Sequence, residues 1–311
     1  AEGEDERTLR AVQTVLDEGI AEPVLVGRRE VIAAKVRAMG LRMDLERSVT
    51  ILDPVADAEV FGPLTEVYTR RAGRRGVPPD AAALNVRTRP TVAAALLLEA
   101  GKVDAAIVGG TGEWMRHWHQ VNDIIGKDPQ VGRAYALTGV ITPAGNLFFV
   151  DTHLMVDPTV EQVAEMTLLA AQQVHAFGRK PRAALLSHSS FGASQAPSAK
   201  KMRDALKLIR AKAPDLMVDG EMHADAALIP AIRDRVVCDS RLEGAANLLV
   251  FPNLDSANIA YNLVKAATDG LQIGPMLLGM RKPVHVLVPS VTARGIVNLT
   301  ALVVAKEVQA Q

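Results

Sequence analysis

Several segments of this 311-residue chain gather residue types that can do chemistry. Leu186-Ser187-His188-Ser189-Ser190-Phe191-Gly192-Ala193-Ser194 follows an aliphatic run and precedes an amphipathic one. At such a strand-to-helix turn, hydroxyls and backbone N–H groups converge on an anion outside the carboxyl end of the strand. The competing use of the same serines is to cap a helix starting at Ser198 and to satisfy the loop. His188 reads as a hydrogen-bonded loop histidine as readily as a base. Asp219-Gly220-Glu221-Met222-His223-Ala224-Asp225 puts carboxylates and a histidine at a second junction of this kind. These side chains alternate in direction and share no helix face, so capping and subunit contact compete with a metal or acid–base site.

Other groups carry weaker signals. His117 and His119, flanked by Trp114 and Trp118, are two residues apart, and on a helix their rings point away from each other. Gly109-Gly110-Thr111-Gly112 lacks the spacing of a dinucleotide fingerprint. Arginines cluster at Arg70, Arg71, Arg74 and Arg75 and again at Arg87 and Arg89, either as a solvated helix end or as a hold on cofactor phosphates. Cys238 is the only cysteine; it has no partner for an internal disulfide and reads as a small core residue in a reducing compartment.

The elements that must position these groups alternate in the manner of βαβ units. Strands are expected at Pro23–Gly27, Val49–Asp53 and Asp104–Gly110, and helices at Arg7–Leu16, Val31–Met39, Ala56–Arg71 and Thr91–Ala100. The acidic run before Arg7 suits the positive end of a helix dipole. Tyr135–Thr142 and Leu147–Asp151 are two extended segments joined by Pro143-Ala144-Gly145-Asn146, a hairpin signal. Alternation then resumes: helix Val160–Phe177, strand Arg182–His188, helix Ser198–Ala211, strand Leu216–Gly220, helix Ala224–Arg233, strand Asn247–Phe251, helix Ser256–Ala267. Thr292–Val308 reads as a helix apolar enough to be buried in the core or in an oligomer contact. A doubly wound half normally opens with a strand, and this chain opens on a helix without a methionine, so a piece of a longer polypeptide is expected.

Composition narrows the class. Hydrophobic residues make up 49% and charged residues 23%, the balance of a folded globular protein. The 35 basic and 35 acidic residues cancel, leaving no global field for nucleic acid. The longest apolar runs, such as Thr91–Leu98, are far short of the roughly 20 residues of a bilayer span, and a cytoplasmic location is expected, with no membrane partner.

Phe251-Pro252-Asn253-Leu254-Asp255-Ser256-Ala257-Asn258-Ile259-Ala260-Tyr261-Asn262-Leu263 resembles the signature of the phosphate acetyl- and butyryltransferase family. The opening EGEDERTLRA, Lys102–Gly109, the LSHSSFG turn, DGEMHADAAL, Ile273-Gly274-Pro275 and Lys282-Pro283-Val284 follow in the family's order. The histidine of DGEMHADAAL and the His-Ser-Ser-Phe-Gly turn are similar to the phosphotransacetylase-like C-terminal half of hybrid NADP-dependent malic enzymes. The resemblance implies an α/β fold of two α/β domains with an interdomain cleft, isocitrate-dehydrogenase-like, the second domain inserted into the first. Domain 1 would be residues 1–134 plus 283–311 and domain 2 residues 135–282.

Active members pass acetyl between acetyl phosphate and coenzyme A. A catalytic aspartate takes the thiol proton, and a Ser-Arg pair plus a further arginine hold the phosphoryl group and the oxyanion. Laid over Pro283–Val291, the family's serine falls on Val288, its arginine on Pro289, and its aspartate on Gly295. The further arginine falls on His119, and a lysine of the serine turn on Phe191. Valine, proline and glycine supply no hydroxyl, guanidinium or base, and each such loss costs about 10² to 10⁴ in rate. No catalytic residue is therefore expected. The resemblance then implies a silent acyltransferase fold that binds acetyl-CoA through Ser187, Ser189, Ser190, Gly192, Ser290, Thr292 and Arg294. It would act as an allosteric inhibitory domain of a malic-enzyme half in the same polypeptide, forming a dimer within a larger homo-oligomer. The domain itself would need no cofactor and no metal; NADP and a divalent metal would belong to the malic-enzyme half. An active phosphate acetyltransferase relying on Arg294 or His188, and a purely structural oligomerisation module, stay open.

Overall fold

The computed structural model describes residues 1–310, with side chains to residue 305. The chain divides into two compact units, residues 1–128 with 280–311 and residues 129–279.

The first unit contains α1 (Glu6–Asp17), β1 (Val24–Val26), α2 (Arg29–Ala38), β2 (Thr50–Leu52), α3 (Ala58–Gly73), α4 (Pro79–Thr88), α5 (Pro90–Glu99), β3 (Ala106–Val108) and α6 (Trp114–Ile124). The second unit follows with β4 (Tyr135–Thr142), β5 (Gly145–Val150), α7 (Val160–Ala176), β6 (Arg182–Leu186), α8 (Pro197–Lys212), β7 (Met217–Met222), α9 (Ala224–Leu228), α10 (Pro230–Val236), β8 (Leu248–Val250), α11 (Leu254–Ala267) and β9 (Leu271–Leu278). The chain then returns to the first unit as β10 (Val284–Val286) and α12 (Ala293–Ala310).

In the first unit β1 pairs with β2 and β3 with β10, both in parallel. Residues 1–3 lie beside both pairs: Gly3 N–H donates to Val26 O and the Ala1 ammonium to Ile107 O. Leu9 and Val12 of α1, Leu25 of β1, Ile32 and Val36 of α2, and Ile51 of β2 form one apolar cluster. Burying each such side chain is worth about 1.5–3 kcal/mol. Helix α5 is apolar on every face, and Thr91 to Leu98 are all buried, as a helix in the middle of a core must be. Helix α12 packs on α1 and buries Ile296, Val297, Leu299 and Val303; the side chain of Val308, at the end of the expected apolar helix, lies outside the described residues.

The second unit is built on a six-stranded sheet in the order β7-β6-β8-β5-β4-β9. Strands β5, β8, β6 and β7 run parallel, while β4 is antiparallel to both β5 and β9. The hairpin β4–β5 closes between Thr142 and Gly145. Helix α7 opens with a capping box in which Thr159 and Gln162 satisfy each other's backbone N–H. Helices α4, α5, α8 and α10 have proline at their starts, where its fixed φ helps and its missing N–H costs nothing.

That last feature corrects one expectation. Ala224–Arg233 is two helices, because Pro230 pushes Ile229 into an extended conformation (φ −121°, ψ 96°) and restarts the helix. Helices α4 and α6 and strands β9 and β10 were not expected at all. Cys238 is exposed in the connection after α10, so it is no core residue.

Candidate functional site

The serine turn leaves the carboxyl end of β6 and is built around a carboxylate that the turn itself encloses. Glu221 of β7 is fully buried. Its Oε1 accepts from Ser189 Oγ at 2.7 Å, from Gly192 N at 3.1 Å and from Arg203 Nη1 at 2.7 Å, while its Oε2 has no partner among the described residues. Phe191 N donates to the Glu221 carbonyl at 2.7 Å. Arg203 of α8 also reaches Ser194 O. Strand β7 comes this close because residue 220 is glycine: a Cβ there would lie 2.6 Å from Leu185 O, and φ is +144°.

These bonds sort the expected ligand groups. Ser189 is 2% exposed, and its hydroxyl is committed to Glu221 and to Ser194 N; the Gly192 N–H is likewise taken. Both hold the turn in shape, contrary to the expectation that they face a ligand. Ser187 Oγ accepts from Ser189 N, which leaves its O–H to donate. Among the described residues, Ser190 Oγ receives only a long bond from His223 N at 3.4 Å. His188 is exposed, with Nε2 3.3 Å from Ser194 Oγ and its carbonyl 2.8 Å from His223 Nε2. The serines do not cap α8, whose N-cap is Ala196 with no side-chain bond. Within the turn, Ser187 and Ser190 therefore keep a hydroxyl proton to donate.

The DGEMHAD segment does not act as one site. Asp219 accepts from Arg210 at 2.8 Å, Ser240 Oγ at 2.8 Å and Arg241 N at 2.9 Å, pinning the connection that carries Cys238. Glu221 belongs to the serine turn instead. Among the described residues no group of three or more His, Cys, Asp or Glu could hold a metal ion.

Asp151 follows β5 at the same end of the sheet as the serine turn. It is 2% exposed; Oδ1 accepts from His153 N and Leu154 N and Oδ2 from Ala136 N. Burial outweighs these bonds and pushes its pKa up to about 6. Burial pushes the neighbouring His153 down to about 4. Its Nδ1 is 2.8 Å from Thr152 Oγ1, and its ring lies 6.0 Å from that of Tyr261.

In the first unit the loop after β3 is already filled. Gly109 N and Gly110 N donate to the two oxygens of Glu2 at 3.0 and 3.3 Å. His117 is fixed at both nitrogens, by Thr91 Oγ1 and Thr111 O at 2.7 Å each. Trp114 Nε1 donates to Val286 O, and its ring stacks on Trp118. His119 is exposed. Part of the arginine cluster is structural: Arg71 donates to Ile124 O, Arg75 to Asp123 O and Arg281 to Ile125 O, all around the end of α6.

The loop between β10 and α12 carries the remaining expected ligands. Arg7 clamps it, donating to Pro289 O at 2.6 Å and Val291 O at 3.1 Å and also to Gly110 O at 2.8 Å. Thr292 Oγ1 accepts from Gly295 N and Thr292 O from Ile296 N, so threonine opens α12. Ser290 is exposed. Arg294 projects outward and pairs with Glu18 of α1 at 3.3 Å, both side chains about half exposed. Val288 and Pro289 lie in the loop, and Gly295 is buried in the first turn of α12. The sequence points to Glu221 only as part of the DGEMHAD cluster and to Glu2 and Arg7 only as part of EGEDERTLRA, and it assigns no role to Arg203.

A run of four parallel strands in an α/β unit, with a polar turn outside their carboxyl ends, is the setting of a small-molecule site. A family model for phosphate acetyl/butaryl transferase matches residues 1–304, and the chain belongs to that family. It is 48% identical over 306 residues to an NAD-dependent malic enzyme of Rhizobium meliloti (strain 1021), covering 98% of this chain and 40% of that protein. An NADP-dependent malic enzyme of Escherichia coli (strain K12) is 43% identical, again over 98% of this chain and 40% of the relative. Among solved structures, a phosphotransacetylase from Streptococcus pyogenes superposes with a TM-score of 0.85 at 28% identity, covering 99% of this chain and 92% of that one. The chain thus spans about 40% of the length of the malic enzymes it matches. No helix among the described residues is long and apolar enough to cross a membrane.

Proposed function

We propose that this chain is a catalytically silent phosphotransacetylase-like regulatory domain of a malic enzyme. It binds acetyl-CoA as an inhibitory effector and supports oligomerisation, in the cytoplasm. The observation that carries the reading is chemical: the loop from Val288 to Gly295 offers valine, proline and a buried glycine where the family's serine, arginine and base fall. A coenzyme A thiol has a pKa near 8.5 and needs a base to attack, and the tetrahedral intermediate needs donors at its oxygen. Arg294 is a cation and cannot act as a base, and among the described residues His188 has no carboxylate partner, so neither replaces the lost serine, arginine and base together.

Ser187 and Ser190 in the second unit, and Ser290, Thr292 and Arg294 in the first, are each candidates for a polar contact with acetyl-CoA. Ligand that binds two states of a linked enzyme unequally shifts their balance, which is all that inhibition requires. NADP and a divalent metal would serve only the malic-enzyme part; the R. meliloti relative uses the other nicotinamide cofactor by its name.

Two measurements on the isolated chain test this. Calorimetric titration with acetyl-CoA is expected to give a saturable isotherm and a raised Tm. Acetyl phosphate plus coenzyme A is expected to yield no acetyl-CoA above buffer. Clear turnover would replace the reading by an active acetyltransferase, and absence of binding would leave a structural module.

A further inference from the structure

We propose a second, anion-binding site in the unit of residues 129–279, at the opposite end of its sheet from the serine turn, that takes a phosphate-bearing small molecule. A cavity of about 520 Å³ opens at the amino ends of β5, β6 and β8. That volume is in the range of ligand sites, about 300–1,000 Å³. Three cations line it, Arg179, Lys180 and Arg182, with no aspartate or glutamate in the wall. The polar side chain of Asn146 and the apolar Leu147 and Leu228 complete the surface.

The basic segment is held in place. Asn247 Oδ1 accepts from Arg182 N at 2.8 Å and its Nδ2 donates to Lys180 O at 3.0 Å. Arg182 Nε donates to Ala245 O, which orients the guanidinium and leaves its terminal N–H groups to a ligand. Among the described residues the only ion pair of the three cations is Lys180 with Glu243, at 4.0 Å and with both side chains exposed. Such a pair contributes about 0–1 kcal/mol and yields easily to a better anion. The end of α7 does not cancel this charge, because its last carbonyls are capped by the N–H groups of Phe177, Gly178 and Arg179. Two guanidinium groups match phosphate oxygens in bidentate fashion, and the ammonium adds a point charge. Leu147 and Leu228 supply apolar surface and Asn146 an amide for the organic part. Strand β6 joins Arg182 directly to Ser187, so occupancy here acts on the element that carries the serine turn.

The probe is adenosine 5′-diphosphate, titrated calorimetrically into the chain at physiological ionic strength, with adenosine and inorganic phosphate in parallel. The diphosphate is expected to bind saturably, adenosine not to bind, and inorganic phosphate to compete. Arg179→Ala with Lys180→Ala should weaken binding at least about tenfold without changing Tm; Ser190→Ala, at the other end of the sheet, should leave it unchanged. The proposal is overturned if no saturable binding occurs up to about 1 mM, if adenosine binds as well as the diphosphate, if the double variant binds normally, or if Ser190→Ala removes the binding instead.

Discussion

Ser189 Oγ donates to Glu221 Oε1 at 2.7 Å inside the protein. A serine read as a ligand group is thereby an internal strut, and a carboxylate on the neighbouring strand becomes the centre of the turn. Arg203 and the Gly192 N–H meet the same oxygen. Replacing Glu221 by alanine strands a guanidinium whose side chain is only 21% exposed. Breaking a buried pair from one side costs about 3–5 kcal/mol, so Glu221→Ala is expected to lose about 3 kcal/mol in urea unfolding. Hydrogen exchange at Gly192 should accelerate in step, since its N–H loses its acceptor; unchanged exchange there would mean that the turn is held by other contacts.

Asp151 and His153 pull stability in opposite directions across the same pH range. The Asp151 carboxyl is raised from 3.8 to about 6, so the native state holds the extra proton and stability falls as pH rises from about 4 to 6. The His153 imidazole is lowered from 6.5 to about 4, so the unfolded state holds the extra proton and stability rises between about 4 and 6.5. The wild type should therefore show a nearly flat Tm over that interval. His153→Asn should unmask a decline with rising pH, and Asp151→Asn an increase. A steep wild-type slope over this interval would show that other groups dominate.

Arg7 bonds three carbonyls with one guanidinium: Pro289, Val291 and Gly110. Lysine cannot reproduce that fork. Both Arg7→Ala and Arg7→Lys are expected to destabilise by about 1–3 kcal/mol and to make the 288–292 loop more sensitive to limited proteolysis. Full rescue by lysine would argue that charge, and not geometry, is what Arg7 supplies.

Arg294 separates stability from binding. Its half-exposed pair with Glu18 contributes under about 1 kcal/mol, so Arg294→Ala should leave Tm nearly unchanged. Under the proposed function the same variant weakens acetyl-CoA binding by about tenfold or more, the loss of one charge-assisted contact. Equal affinity in the variant would remove Arg294 from the ligand site.

Much of the fold was legible in residue order because local physics decides it. The serine turn, the β4–β5 hairpin and most helices follow from hydrophobic period, glycine and proline, and these signals act over a few residues. Pro230 shows where reading by period alone fails: the apolar pattern runs on through Ala224–Arg233 while the missing N–H ends one helix and starts another. Strands β9 and β10 were hidden because their partners, β4 and β3, lie more than a hundred residues away in sequence.

The sequence by itself determined the family and the substitutions Val288, Pro289 and Gly295, since side-chain chemistry is a property of residue type. Only the tertiary structure decided which polar groups are spent and which are free. Ser189 and Gly192 are consumed by Glu221 and the Gly109–Gly110 amides by Glu2, whereas Ser187 and Ser190 keep donors to offer. Hydrogen bonds saturate: a group held by a distant residue is unavailable to a ligand, and which residue holds it is set by the packing of strands and helices far apart in the chain.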